Sequence, residues 1–294
     1  MQWWCAAQGI PWTWQWRPYP GVWLFVGLLV AGYVALVRRF GATRAQRVRF
    51  GLGLASLWVA LDWPVGALGS GYLASVHMVQ FLLIALVAPP LLLSGLPRAA
   101  LDRLAETRVF PLVRALTLPL VALLLFHTIV VATHWPGLVD ALMTSQWGSF
   151  VLDLAWLVGG IAFWWPVVCP IPERPRFPFG VRIGYIVVST VLMTLPYIFL
   201  TFAELPFYAT YELAPPVGTL SSRDDQRLAG LIMRIGGGTI LWIAAGILFW
   251  LWYRAETESE RSAARSGRDA RALPLSRPPP PRSPPSPGTP PSRP

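Results

Sequence analysis

Residues 75–97 read SVHMVQFLLIALVAPPLLLSGLP, an apolar run that opens with His77 and Met78, carries the pair Pro89–Pro90 and ends just past Gly95. Crossing a hydrocarbon core of about 30 Å takes roughly 20 apolar residues, each rising about 1.5 Å along a helix. The run is therefore long enough to span a bilayer. A titratable, metal-competent imidazole near the mouth of such a helix is costly in lipid, so it is expected to face other helices or a polar cavity.

The rest of the chain is built in the same way. Apolar residues make up 54% of it and charged residues 13%, with 16 tryptophans. A soluble domain carries about 25% charged residues. The net charge of +10 comes from arginine alone, since there is no lysine. These arginines sit in short loops and in the C-terminal tail, the distribution of a membrane topology signal and not of a phosphate-binding face. The lipid bilayer, and not nucleic acid, is the expected environment. Cys5 and Cys169 fall on opposite sides of the membrane in the topology below, with no CxxC motif, so no disulfide is expected. The opening stretch, MQWWCAAQGIPWTWQWRPYP, lacks the basic-then-apolar order of a cleaved signal. Residues 1–19 read as a tryptophan-rich interfacial segment, because indole rings favour the headgroup level.

Seven apolar segments of spanning length lie at about 20–37, 51–69, 72–95, 112–133, 148–168, 181–203 and 228–253. Arginine-rich loops alternate with arginine-free ones, save that the sixth carries Arg223 and Arg227 against Glu204, Asp224 and Asp225. Arg38, Arg39, Arg44, Arg47 and Arg49 follow the first span; Arg98, Arg103, Arg108 and Arg114 follow the third; Arg174, Arg176 and Arg182 follow the fifth. The positive-inside rule then predicts an all-α polytopic bundle of seven transmembrane helices over residues 20–253, with the N-terminus outside and the C-terminus cytoplasmic. Residues 254–294, ending PLSRPPPPRSPPSPGTPPSRP, have almost nothing to bury and read as a disordered arginine- and proline-rich cytoplasmic tail, the first part of which can briefly continue the last helix.

On this topology the polar residues of the spans gather in the outer half. His77 lies near the outer end of span three, with Gln80 and Phe81 one turn further on. His127 and His134, seven residues apart, share one face of span four. Span two carries Asp62, followed by Trp63 and by Pro64, which kinks the helix near that acid. Asp153 lies in the first turns of span five; Asp225 opens span seven, with Met233 inside it. His77, His127 and Asp62 are expected to approach one another, with His134 and Asp153 nearby. That convergence makes His77, His127, His134 and Met78 candidate metal ligands. Imidazole suits copper or zinc, and thioether sulfur selects reduced copper. Asp62, Asp153, Asp225 and Met233 form the surrounding cluster, the carboxylates orienting the imidazoles. The plainer alternative is that His77 hydrogen-bonds Asp62 or a backbone carbonyl, that His134 is an interfacial loop residue, and that Met193 and Met233 are packing. Pro89–Pro90 breaks the hydrogen-bond ladder of span three, Gly236–Gly238 permits close helix approach, and Arg234 either pairs with Asp225 or Asp153 or snorkels outward. No phosphate loop, nucleophile motif or HExxH is present, so an enzyme is not expected.

The segments HMVQFLLIALVAPPLLLSGLP, HWPGLVDAL, GGIAFWWPVVCPIP, FYATYELAPP and DDQRLAGLIM occur in an order that resembles the cytochrome c oxidase assembly factor CtaG family, the seven-helix type associated with bacterial caa-type oxidases. The resemblance runs from about Gly21 to Trp252. It implies a multi-pass protein of the bacterial plasma membrane that helps build the oxidase, with oxidase subunits as partners and copper as the metal handled at the outer face. Family members usually read His-Met-x-x-His on span three, where this chain keeps His77 and carries Phe81. They tend to have histidines near the start of span five, where this chain has Trp147 and Asp153, and tryptophan at the position of Arg234. Two other functions fit a polar membrane bundle. One is a copper or proton transporter, which needs polar residues through to the cytoplasmic side. The other is a haem protein with His77 and His127 as axial ligands.

Overall fold

The computed structural model describes residues 2–168 and 177–272. Every regular element among them is helical. Five helices are long and apolar enough to cross a membrane: Pro20–Phe40, Ala74–Gly95, Gln146–Val168, Phe179–Phe202 and Ser222–Arg265. Two bent pairs, Arg44–Leu61 with Val65–Gly71 and Phe110–Leu116 with Pro119–Ala132, bring the number to seven if each pair is one span.

The bends have local causes. The first pair turns by 46° across Asp62–Pro64, where Asp62 leaves the helix with extended backbone. This is the kink expected from Pro64. The second turns by 71°. Pro119 holds Leu118 out of the helical region, at φ −59° and ψ 135°, so residues 112–133 are not the single straight span the hydropathy suggests. Pro89–Pro90 does not break its helix. Neither proline can donate to the carbonyl one turn back, and the preceding residues Leu82–Val87 widen into a π turn that absorbs the loss. The helix then runs on to Gly95. A second π turn, Ile232–Gly237, lies in the last span.

The first compact unit is Met1–Phe249. Its interior is the Ala74–Gly95 and Gln146–Val168 helices, 67% and 61% buried, whereas Pro20–Phe40 is 17% buried and leaves Leu24, Leu28, Val30 and Val34 exposed. Small residues set the spacing. A Cβ on Gly160 would stand 2.4 Å from the Ala85 carbonyl oxygen, and one on Gly53 would stand 2.9 Å from the Leu92 side chain. One on Gly236 would stand 2.7 Å from Leu82, which agrees with a close-approach role for the glycine run. Tyr33 stacks on Phe50 at 3.7 Å and donates to the Gly95 carbonyl at 3.0 Å, tying the first three spans at one end.

The opening segment is not helical, yet part of it is deeply packed. Trp4 is 1% exposed, and the main-chain N–H groups of Trp3 and Trp4 both donate to Gln146 Oε1. The Ala7 N–H donates to the Met143 carbonyl at 3.1 Å. Trp14 and Trp16 remain largely exposed, as interfacial tryptophans do.

The second unit begins at Trp250. Its described part is helical through Ala272, so residues 254–272 carry regular structure where the composition suggests a tail. Alanine, glutamate and arginine are strong helix formers, and Arg254 pairs with Glu258 one turn on at 3.7 Å. The proline-rich residues 273–294, Cys169, Arg174 and Arg176 lie outside the described residues.

Candidate functional site

The third span begins at Ala74, and its N-terminus is fixed from the last span. The Asp225 carboxylate accepts from the main-chain N–H of Ala74 at 2.6 Å, from that of Ser75 at 3.2 Å and from the Ser75 hydroxyl. Free N–H groups at a helix start carry partial positive charge, so a buried carboxylate is well placed there. Asp225 therefore sets the height and rotation of His77 and Met78 one turn later.

His77 is buried, and neither ring nitrogen has a hydrogen-bond partner. Its ring lies 4.8 Å from Trp156 and 5.9 Å from Tyr211. His134, in the turn after Ala132, is also buried. Its Nδ1 lies 2.6 Å from the Val130 carbonyl oxygen, which only accepts, so Nδ1 carries the proton and Nε2 keeps its lone pair. That Nε2 has no partner. Burial pushes the His134 pKa down to about 4, against a smaller opposing effect of the Val130 bond, so the ring is neutral at pH 7. Both imidazoles line one enclosed cavity with Met78, Thr133, Tyr208 and Tyr211. It has room for about one water-sized sphere.

The walls are held by directed bonds. Trp156 Nε1 donates to the Thr133 hydroxyl at 2.9 Å. Tyr208 Oη donates to the His134 main-chain carbonyl at 2.9 Å, and Tyr211 Oη to the Gly69 carbonyl at 2.7 Å. Burial pushes both phenols up, so both remain neutral donors. Phe81 is fully buried and packs edge-on against His134 at 5.6 Å and against Trp156 at 5.2 Å.

The other expected site residues have different partners. His127 is not among the residues lining this cavity. Its Nδ1 donates to the Leu123 carbonyl at 2.8 Å, leaving Nε2 to accept from the Ser189 hydroxyl at 3.2 Å. Neither nitrogen is open for a metal, and the cavity at His77 is far smaller than a porphyrin, so the geometry gives no support to a haem held by His77 and His127. Asp62 accepts from Trp23 Nε1 at 3.0 Å, Trp58 Nε1 at 2.7 Å and the Trp63 N–H at 2.9 Å. It joins the first two spans through indole donors and does not meet His77. Asp153 accepts from Trp4 Nε1 at 2.8 Å and Gln80 Nε2 at 3.2 Å. Met233 is packed in the core, at 1% exposure. Arg234 is exposed, with its guanidinium 6.0 Å from the Tyr197 ring centre, the outward course and not an ion pair with Asp225 or Asp153. Cys5 donates to the Leu61 carbonyl at 3.3 Å, and burial pushes its thiol well up, away from the thiolate that binds metal. Trp147 is exposed.

Among the described residues no group of three or more histidine, cysteine, aspartate or glutamate side chains is arranged to hold a metal. Two histidines, His77 and His134, and one methionine, Met78, line the same cavity. A structural zinc ion wants four donors in a tetrahedron. Imidazole with thioether is the donor chemistry of reduced copper. Tyr208 and Tyr211 complete the cavity wall, and hydropathy gives no signal for them. Within FYATYE, Tyr208 caps the one-turn helix Ala209–Glu212 and Tyr211 lies in it.

A set of apolar spans around a small buried cavity lined by two histidines defines a polytopic helical membrane protein. The chain belongs to the cytochrome c oxidase caa3 assembly factor family, whose model matches residues 3–255. The match takes in the opening segment that carries Trp4. Uncharacterized proteins of Mycobacterium bovis and Mycobacterium tuberculosis are each 28% identical over 214 residues, covering 66% of this chain. The matched region is 29% of the length of those relatives, so the chain spans under a third of them. No solved structure matches.

Proposed function

We propose that this protein is a non-catalytic assembly factor of the bacterial plasma membrane that holds one reduced copper ion at the outer face and passes it to a haem-copper oxidase subunit. Copper is cargo in this reading. The observation that carries it is the pair of buried imidazoles, His77 and His134, with three ring nitrogens lacking partners around one small cavity beside Met78. Leaving buried polar atoms unpaired costs about 1–3 kcal/mol each. A protein that keeps several in one place gains most from a ligand that satisfies them.

Two neutral imidazoles and a thioether suit release as well as capture. They bring no charge to hold the ion, and a three-donor set leaves room for an incoming ligand from the client. The outer-face position rests on the arginine alternation, which also sets the N-terminus outside and the tail inside. Asp62 and Asp153 are each taken up by tryptophan donors and do not extend the cavity toward the other side, which favours a holding site over a transport path.

The test is a deletion strain complemented with His77→Ala or His134→Ala. Assembled oxidase, read from its spectrum and copper content, is expected to fall several-fold at low copper and to recover partly when copper is added. The variant proteins should be as abundant in the membrane as the parent. Loss of oxidase that tracks loss of the protein itself, with no response to copper, would leave only a structural role for the histidines.

A further inference from the structure

His77 lacks what His134 has, a bond that fixes its tautomer. We infer that Asp153 and Gln80 form a relay that sets the His77 tautomer and so determines which of its nitrogens faces the cavity. This rests on the copper reading above for its purpose, but not for its geometry.

The Asp153 carboxylate lies buried in the fifth span and accepts from Gln80 Nε2 at 3.2 Å and from Trp4 Nε1 at 2.8 Å. With its nitrogen on an Asp153 oxygen, the Gln80 amide turns its carbonyl the opposite way. That carbonyl oxygen is buried with no donor. His77, three residues earlier and on the same face of the helix, has buried ring nitrogens with no acceptor. The Gln80 carbonyl and the His77 backbone both border the space left by Gly69. A Cβ there would stand 2.7 Å from Gln80 Oε1 and 3.1 Å from the His77 Cα. One neutral imidazole nitrogen must carry a proton, and Gln80 Oε1 is the buried acceptor without a donor one turn along the same face. Once that nitrogen donates to Gln80, the other presents its lone pair to the cavity. Imidazoles that bind metals commonly have the second nitrogen held in this way, and losing such a partner costs about 10–100-fold in affinity. Gln80 and Asp153 are thus positioning residues, with Trp4 as the far anchor.

The experiment uses full-length, metal-free protein in detergent with 15N-labelled histidine. His77 is assigned by its loss in His77→Phe. The parent should show His77 as one neutral tautomer, with its two nitrogen resonances widely separated. In Gln80→Met, which keeps the length of the side chain without a strong acceptor, the two resonances should move toward a common averaged position. Asp153→Asn, which preserves packing but no longer dictates the amide orientation, should move them the same way by a smaller amount and decides the matter if Gln80→Met does not fold. Unchanged His77 resonances in a folded variant would overturn the relay. Titration with Cu(I) separates this from the functional proposal: about a 10–100-fold weaker affinity in Gln80→Met is expected. A parent that shows the tautomer effect but binds no copper would defeat the copper reading and leave the relay standing.

Discussion

His134→Ala is expected to weaken Cu(I) binding by the purified protein about 100-fold, or roughly 2.8 kcal/mol at about 1.4 kcal/mol per tenfold change, while leaving its melting temperature nearly unchanged. The side chain makes one hydrogen bond, to Val130 of its own turn. The tertiary bond at this residue comes from Tyr208 to the His134 main-chain carbonyl, and alanine keeps that carbonyl. The affinity change reads a lost donor, since Nε2 has no partner in the fold to lose. His127→Ala is the matched control. It breaks the link between Pro119–Ala132 and Ser189, costing about 1–3 kcal/mol of stability, and should not change copper affinity. A competition titration against a Cu(I) chelator, with thermal melting of the same samples, checks both. Equal affinity in parent and His134→Ala would remove His134 from the site.

Gly160→Val is expected to have the largest effect on the fold. The Cβ alone would stand 2.4 Å from the Ala85 carbonyl oxygen and 2.8 Å from the Pro89 ring, and valine adds two methyl groups. The neighbours are backbone and a ring, so neither can move aside as a flexible side chain would. Overpacking usually costs about 1–3 kcal/mol, and here it separates the two most buried spans at the π turn. Folded protein recovered from the membrane should fall sharply, and what remains should melt well below the parent. Gly180→Val, with open space around its position, should be tolerated. Equal yields of the two variants would show that the third and fifth spans are not held at this distance.

The long apolar helices were legible because run length and hydropathy report directly on them, five standing alone and seven if each bent pair is one span. The burial of the polar residues was legible because lipid makes isolated polar groups costly. Their pairing was not. His77 meets His134 and not His127, although the two histidines of the fourth span lie seven residues apart on one helical face. Partner choice depends on how each helix is rotated about its axis, and on the break at Pro119 that carries Pro119–Ala132 off at 71°. The carboxylates make the same point. Asp62 and Asp153 are buried, and their donors include indoles from the first span, the second span and the opening segment. Tryptophan at a membrane surface signals an interface whether its N–H faces water or a buried acid. Trp4, with 1% exposure, and Trp14, largely exposed, lie in one stretch and read alike in sequence.

The central claim is that His77, His134 and Met78 hold one copper ion between them. X-ray absorption at the copper edge, on protein loaded with Cu(I) and passed over a competing chelator, tests it most directly. The expected result is one Cu(I) per chain with two imidazole nitrogens and one thioether sulfur, losing one imidazole in His77→Ala. Protein that emerges free of copper, or copper whose coordination is the same with and without His77, would contradict it.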